Sequence, residues 1–187
     1  MITSRKDYLF YLKEDQRALG AYTKYPIFAD NIMILLTDPC WKFQKLMRKL
    51  EYWTNCKKHP VWKPYIWYLR KKYQRLSVNL GFSIPINVFE EGLCIVHYGS
   101  IIVSRHARIG KNCVIHSCVN IGGHGIAATI GDNCYLGPGA KIFNPITIGN
   151  NVKIGANSVV NKSFNEDNIV VAGVPAKIVN RIPQPTV

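Results

Sequence analysis

The chain has 187 residues with 24 Lys and Arg against 11 Asp and Glu, a formal net charge of +13, and 48% hydrophobic residues. This length suits one domain with an appendage, and no apolar run is long enough to span a membrane. The positive charge favours an anionic partner such as a phosphate-bearing cofactor, nucleic acid or a membrane surface, but it identifies no chemistry.

The cysteines and the N-terminus indicate the compartment. Six cysteines occur without any Cys-x-x-Cys pair, which is typical of buried thiols in a reducing environment. The first seven residues, MITSRKD, contain no apolar core of a signal peptide. We therefore expect a cytoplasmic protein.

Residues 1–80 hold 16 of the 24 Lys and Arg residues and predict an α-helical N-terminal region. Ser4 is a candidate N-cap for a first helix that is expected to stop at Gly20. A second helix is predicted over about 39–56, and a strongly basic third helix over about 65–78. These helices are apolar enough to pack on the domain that follows.

That second domain, residues 81–187, contains a strict repeat. Ten aliphatic residues recur every six positions, with three extra residues after the fourth: Val103, Ile109, Ile115, Ile121, Ile130, Leu136, Ile142, Ile148, Ile154 and Val160. Helices repeat every 3.6 residues and two-sided strands every 2, whereas this period indicates short strands joined by corners, three to a coil. We predict a mainly β protein, a parallel β-helix whose open end is covered by the N-terminal helices.

One interval before Val103 lies His97, where the repeat expects an aliphatic side chain. A buried imidazole needs a hydrogen-bonding partner, and histidine exchanges a proton near neutral pH. His97 is therefore the candidate general base. A structural histidine, or a register shift in the first coil that turns it outward, would also explain the position.

The stretch from His97 to Gly123, HYGSIIVSRHARIGKNCVIHSCVNIGG, resembles the left-handed β-helix acyltransferases, and within them the serine O-acetyltransferase family. There a catalytic histidine opens a stretch of equal length that ends in Gly-Gly. The segment AGVPAKIV from Ala172 is similar to the ending of those enzymes. The helical region more weakly resembles a branch that is often linked to surface polysaccharide synthesis.

The resemblance implies a left-handed coil and metal-free acetyl transfer from acetyl-coenzyme A to a hydroxyl group. His97 would accept the hydroxyl proton, and a backbone N–H would stabilise the oxyanion. The cofactor would lie between two subunits of a homotrimer, and the helices offer a contact for pairing two trimers. The positions that match cofactor-binding residues of the family are Gly122, Gly123, Pro138, Lys153, Ala156, Pro175 and Lys177.

Two departures from the family concern the rest of the site. The aspartate that orients the family's histidine is replaced by the sequence FSIP at 82–85, which leaves Glu91, Glu90 or a backbone carbonyl as the partner of His97, with Glu91 the first candidate. The loop after Gly-Gly reads HGIAAT and lacks the arginine that would bind a serine carboxylate. His124 is a candidate acceptor contact. A sugar hydroxyl is therefore placed ahead of serine, with a dedicated serine O-acetyltransferase of cysteine biosynthesis as the alternative.

Two other classes of function fit parts of the sequence. A zinc carbonic anhydrase on the same fold needs three histidines from neighbouring coils, but His97, His116 and His124 lack that family's close histidine pair. A non-catalytic, nucleic-acid-binding module would use the basic helices, yet no interleaved aromatic and basic recognition motif is present. We expect an enzyme without a metal or a nucleic-acid partner.

Overall fold

The computed structural model describes residues 1–23, 38–123 and 125–183. Within these residues three α-helices precede the β-strands: α1 (Arg5–Thr23), α2 (Pro39–Cys56) and α3 (Lys63–Leu80), with a 3₁₀ turn at Pro60–Trp62. None of the described helices is long and apolar enough to cross a membrane.

Short strands follow α3. In the described part of the chain they are β1 (Phe82–Ser83), β2 (Cys94–Ile95), β3 (Ile101–Val103), β4 (Arg108–Ile109), β5 (Val114–Ile115), β6 (Asn120–Ile121), β7 (Thr129–Ile130), β8 (Tyr135–Leu136), β9 (Lys141–Ile142), β10 (Thr147–Ile148), β11 (Lys153–Ile154), β12 (Val159–Val160), β13 (Ile169–Gly173) and β14 (Ala176–Arg181).

The strands form the three faces of a solenoid. Face A contains β1, β3, β6, β9 and β12, face B contains β4, β7 and β10, and face C contains β2, β5, β8, β11, β13 and β14. The chain visits the faces in that cyclic order over about five turns, and all strand pairs are parallel except β13 with β14. The predicted parallel β-helix with an N-terminal helical region is confirmed.

The ten repeated aliphatic residues line the interior, and none is more than 4% exposed. Each packs on its equivalent in the next coil, because the strands pair in register. Ile115 pairs with Leu136, 21 residues later, whereas Leu136 pairs with Ile154, 18 residues later. The three extra residues therefore enlarge one coil without shifting the interior pattern.

In the Gly-x-Asn corners between faces B and C, the glycine and the asparagine have different structural roles. Asn112, Asn133 and Asn151 take the left-handed backbone, with φ of 53°, 57° and 53°. The glycine two positions earlier is required for space, since a Cβ on Gly131 would lie 2.7 Å from the carbonyl oxygen of Gly149. Asparagine makes the turn, and glycine lets the next coil approach.

The helices begin and end largely at their predicted residues. The Ser4 Oγ accepts a hydrogen bond from Asp7 N at 3.0 Å, and Gly81 ends α3 in the left-handed conformation at φ 75°. The predicted stop of α1 at Gly20 is wrong, because the helix continues to Thr23. Glycine lowers helix propensity by about 1 kcal/mol without preventing a helix that is otherwise favourable.

Helix α2 covers the open end of the first coil. Phe43 and Met47 belong to the same buried core as the aliphatic residues of the solenoid. The Gln44 amide donates to Leu93 O at 2.7 Å and accepts from Ile95 N at 3.2 Å. One side chain thus replaces backbone partners that a preceding coil would have supplied.

A buried charge network completes this cover. Arg48 is fully buried between Asp15, at 2.8 Å, and Glu51, at 3.0 Å. Arg48 also donates to the carbonyl oxygens of Phe89 and Glu90, and Asp15 Oδ1 accepts from the backbone N–H groups of residues 92 and 93. The network therefore satisfies both itself and the exposed backbone of the first coil.

Candidate active site

His97 does not occupy the interior position that the six-residue spacing predicted. Ile95 fills the interior slot by pairing with Ile115, and the next interior residue of the repeat, Val103, lies eight positions later (95 to 103). The two extra residues fall in a corner that contains Gly99 at φ 131°. His97 is therefore exposed, and the outward register shift is the correct reading. An exposed imidazole is accessible to a substrate.

His97 lies at the start of one long edge of the solenoid, the corner between faces C and A. The residues two positions after the inward aliphatic residues of β2, β5, β8 and β11 are His97, Ser117, Pro138 and Ala156. Coils repeat every 4.7–4.9 Å or so, which places Ala156 roughly 14 Å from His97 along the edge. The fold thus aligns three predicted site residues.

Small residues line this edge, and exposed lysines lie towards its far end. A cofactor with a flexible arm needs the space that small residues leave, and its phosphates need cations. A Cβ on Gly137 would lie 2.6 Å from the carbonyl oxygen of Ile154, so glycine is the residue that fits there. Lys153 and Lys177 are exposed towards the far end. The β13–β14 hairpin carries Pro175 and Lys177. It is attached to the solenoid by the parallel pairing of β13 with β11 and by a hydrogen bond from Gly173 N to Ser158 Oγ at 3.2 Å. The role of these residues in binding coenzyme A stays a prediction.

Gly122 and Gly123 lie on a different edge. They follow β6, at the corner between faces A and B, so face A separates them from His97 within one chain. A Cβ on Gly123 would lie 2.9 Å from the Cα of Ala127, so this turn admits no side chain at that position.

The carboxylates of Glu91 and Glu90 are paired with groups other than His97. Glu91 lies at the corner between faces B and C, where its carboxylate pairs with Lys111 Nζ at 3.2 Å. Glu90 accepts from the Met1 amine at 2.7 Å and from the Tyr11 hydroxyl. The role of Glu91 as the partner of His97 stays a prediction.

The loop that was expected to contact the acceptor is shorter than its sequence suggested. His124 lies outside the described residues. Ala127 and Ala128 point into the solenoid and are buried, and Thr129 begins β7. Among the described residues of this loop, Gly123, Gly125 and Ile126 face outward, with Ile126 67% exposed.

His116 lies one coil below His97, and its place in the site was missed because the first-coil register was misread. The two rings lie 6.1 Å apart between centroids at an interplanar angle of 62°, and the Tyr135 ring lies 5.1 Å beyond. Burial and the neighbouring His97 lower the pKa of His116. His116 is therefore a neutral support for the exposed imidazole at neutral pH.

Lys141 is a second residue that the sequence did not single out. Its ammonium donates to Cys118 O at 2.6 Å, which brings a cation to the edge on which His97 lies. The sequence feature that could have identified Lys141 is its position directly before Ile142, where the repeat turns side chains outward.

The matching family model is that of the bacterial transferase hexapeptide, six repeats, over residues 127–162. A serine acetyltransferase from Synechococcus elongatus is 28% identical over 166 residues, which cover 86% of this chain and 65% of that protein. The serine acetyltransferase of Neisseria gonorrhoeae in complex with serine aligns with a TM-score of 0.75 at 26% identity, covering 95% of this chain and 71% of that chain. The chain therefore contains a hexapeptide repeat and is similar to serine acetyltransferases.

A serine acetyltransferase in complex with CoA aligns with this hexapeptide-repeat protein at 25% identity and a TM-score of 0.74, covering 94% of this chain and 71% of that chain. The chain spans about half to two thirds of the curated relatives it matches, 46% to 65% of their length. The resemblance to the serine O-acetyltransferase type is confirmed.

The thiols of this hexapeptide-repeat protein are mainly structural. Burial raises the pKa of Cys134 to about 11 and that of Cys94 to about 12, so these thiols stay protonated at neutral pH. Over residues 1–23, 38–123 and 125–183 no three His, Cys, Asp or Glu side chains are grouped as metal ligands.

Proposed function

We propose that this protein transfers the acetyl group of acetyl-coenzyme A to the hydroxyl group of serine, with His97 as the general base. The observation that carries the proposal is the exposed imidazole of His97 at the start of an edge of small residues that ends among lysines. The relatives named serine acetyltransferase, and the solved neighbours with serine and with CoA, support it. They favour serine over the sugar hydroxyl that sequence alone placed first.

In this reaction a ring nitrogen of His97 accepts the hydroxyl proton while the serine oxygen attacks the thioester carbonyl carbon. A backbone N–H stabilises the negative charge that develops on the carbonyl oxygen. As the carbon–sulfur bond breaks, the protonated imidazole returns its proton to the departing thiolate, and His97 is neutral again. Positioned acid–base catalysis of this kind contributes roughly 10²- to 10⁴-fold to the rate.

Two neighbours adapt the site to serine. His116, kept neutral by burial, adds no fixed positive charge beneath His97 and so leaves the base free to accept a proton. Lys141 places an ammonium on the same edge, where it replaces the missing loop arginine as the partner of the serine carboxylate.

A homotrimer completes the groove in this proposal. Gly122 and Gly123 lie across face A from His97. One chain therefore cannot contribute both the His97 edge and the Gly122–Gly123 turn to a single site. A neighbouring subunit that presents its Gly122–Gly123 turn to the His97 edge would close the acetyl-coenzyme A groove. Acetyl-coenzyme A binding and trimer formation are therefore expected together.

The test is an acceptor panel with acetyl-coenzyme A, in which serine is compared with sugars and nucleotide sugars by the release of free thiol. We expect turnover with serine, and Lys141→Ala is expected to raise KM for serine more than it lowers kcat. Turnover on sugars alone would overturn serine as the acceptor. A monomer that binds no acetyl-coenzyme A, by sedimentation and calorimetry, would overturn the acetyltransferase assignment itself.

A further inference from the structure

The second half of the helical region carries positive charge that the proposed reaction does not use. Between Glu51 and Glu90 the sequence contains seven Lys and Arg residues and no Asp or Glu. Among the ion pairs of the described residues, none involves any of these seven cations. Within residues 1–23, 38–123 and 125–183, therefore, no ion pair neutralises the charge of this surface.

Much of this charge surrounds one cleft between the end of α2 and the start of α3. The cleft has a volume of about 360 Å³, and its lining includes Lys57, Lys58, Lys63, Arg70 and the indole of Trp67. Lys71 extends the same surface, because its ammonium lies 5.7 Å from the centroid of the Trp67 ring. We call these six residues the basic face.

Large apolar side chains are exposed in the basic face and at nearby positions of the chain. Trp67 and Val61 are each 63% exposed, and Tyr68 is 53% exposed. Val61 lies two positions before Lys63 and Tyr68 directly follows Trp67, and large exposed apolar side chains next to a charged surface are candidates for an interaction site. Lysines with aliphatic stems next to tryptophan and tyrosine are typical of surfaces that rest in the headgroup region of a bilayer.

We propose that the basic face binds an anionic lipid bilayer peripherally. Its lysines and arginine contact headgroup phosphates, while Trp67 and Val61 enter the boundary between headgroups and acyl chains. Charge complementarity selects this partner over a second copy of the face, which would bring like charges together. Nucleic acid also offers phosphates, but it provides no apolar environment for Val61.

Vesicle cosedimentation of the full chain tests this proposal. We expect binding to phosphatidylcholine vesicles that contain about 30 mol% phosphatidylglycerol, none to phosphatidylcholine alone, and weakening between about 0.1 M and 0.5 M salt. The tryptophan emission of the protein should shift to shorter wavelength on binding, and the shift should be lost in Trp67→Ala. Undetectable binding to the anionic vesicles would overturn the proposal.

A charge-matched pair of variants distinguishes binding by the basic face from attraction by the net charge of the protein. Replacing Lys58, Lys63 and Lys71 together by Gln should weaken vesicle binding by about tenfold or more. The control replaces three exposed cations elsewhere, Lys13, Arg105 and Lys162, by Gln and should change binding by less than about threefold. Equal losses in both triple variants would contradict a specific face. So would tighter binding of duplex nucleic acid than of vesicles, or a change of oligomeric state in the basic-face variant.

Discussion

The inner coils of the solenoid and the helical cover satisfy the same backbone groups by different chemistry. Between inner coils, hydrogen bonds such as Val114 N to Cys134 O at 2.9 Å repeat from turn to turn around an apolar interior. At the first coil the partners are side chains, namely Gln44, Asp15 and Arg48, and two of these are charged. Apolar packing and regular backbone hydrogen bonds therefore stabilise the inner coils, whereas buried polar side chains stabilise the open end.

The largest expected effect on stability comes from breaking the charged cover. Arg48→Ala leaves Asp15 and Glu51 buried without their cation and frees two carbonyl groups, so we expect a loss of about 3–5 kcal/mol. Urea unfolding measures this change. The control is Arg17→Ala, which removes an exposed pair with Glu14 at 2.7 Å and an exposed hydrogen bond to Asn112 Oδ1 at 2.9 Å and should cost less than about 1 kcal/mol. Equal losses would show that the buried network has no special role.

Replacement of glycine by alanine should change the free energy of unfolding in opposite directions in the solenoid and in the helical region. Gly131→Ala puts a Cβ 2.7 Å from Gly149 O, and the overpacking should cost about 1–3 kcal/mol. Gly20→Ala, inside α1 with no described atom within 4 Å of the new Cβ, should stabilise the fold by about 0.5–1 kcal/mol. Thermal unfolding of both variants decides, and a stabilising Gly131→Ala would contradict the close coil packing.

Sequence predicted the part of the molecule that repeats. The spacing from Val103 to Val160 gave the coils, their interior residues and the enlarged coil, because each residue there has an equivalent in a neighbouring coil. His97 was misplaced by two positions because the first coil has a neighbour on one side only and an enlarged corner. The contact of His97 with His116 depends on that register, and the Arg48 network joins residues from α1, α2 and the first coil, which no periodicity connects.

The smallest expected effect is a pH dependence of stability at His116. Its pKa in the folded protein lies below the 6.5 of the unfolded chain, because burial and then the nearby His97 disfavour its charged form. The unfolded state therefore binds the proton first, and this contribution to stability is lost as pH falls below about 6.5. Unfolding of the wild type and His116→Gln at several pH values should show a shallower acid decline in the variant. Identical profiles would mean that His116 titrates alike in both states.

The most direct measurement of the central claim compares turnover of serine and acetyl-coenzyme A by His97→Ala and His106→Ala. Both replace an exposed histidine of the solenoid, but His106 lies at the corner between faces A and B. We predict that His97→Ala loses roughly 10²- to 10⁴-fold in turnover while it still binds acetyl-coenzyme A, and that His106→Ala stays near the wild type. Near wild-type turnover by His97→Ala would contradict its assignment as the general base.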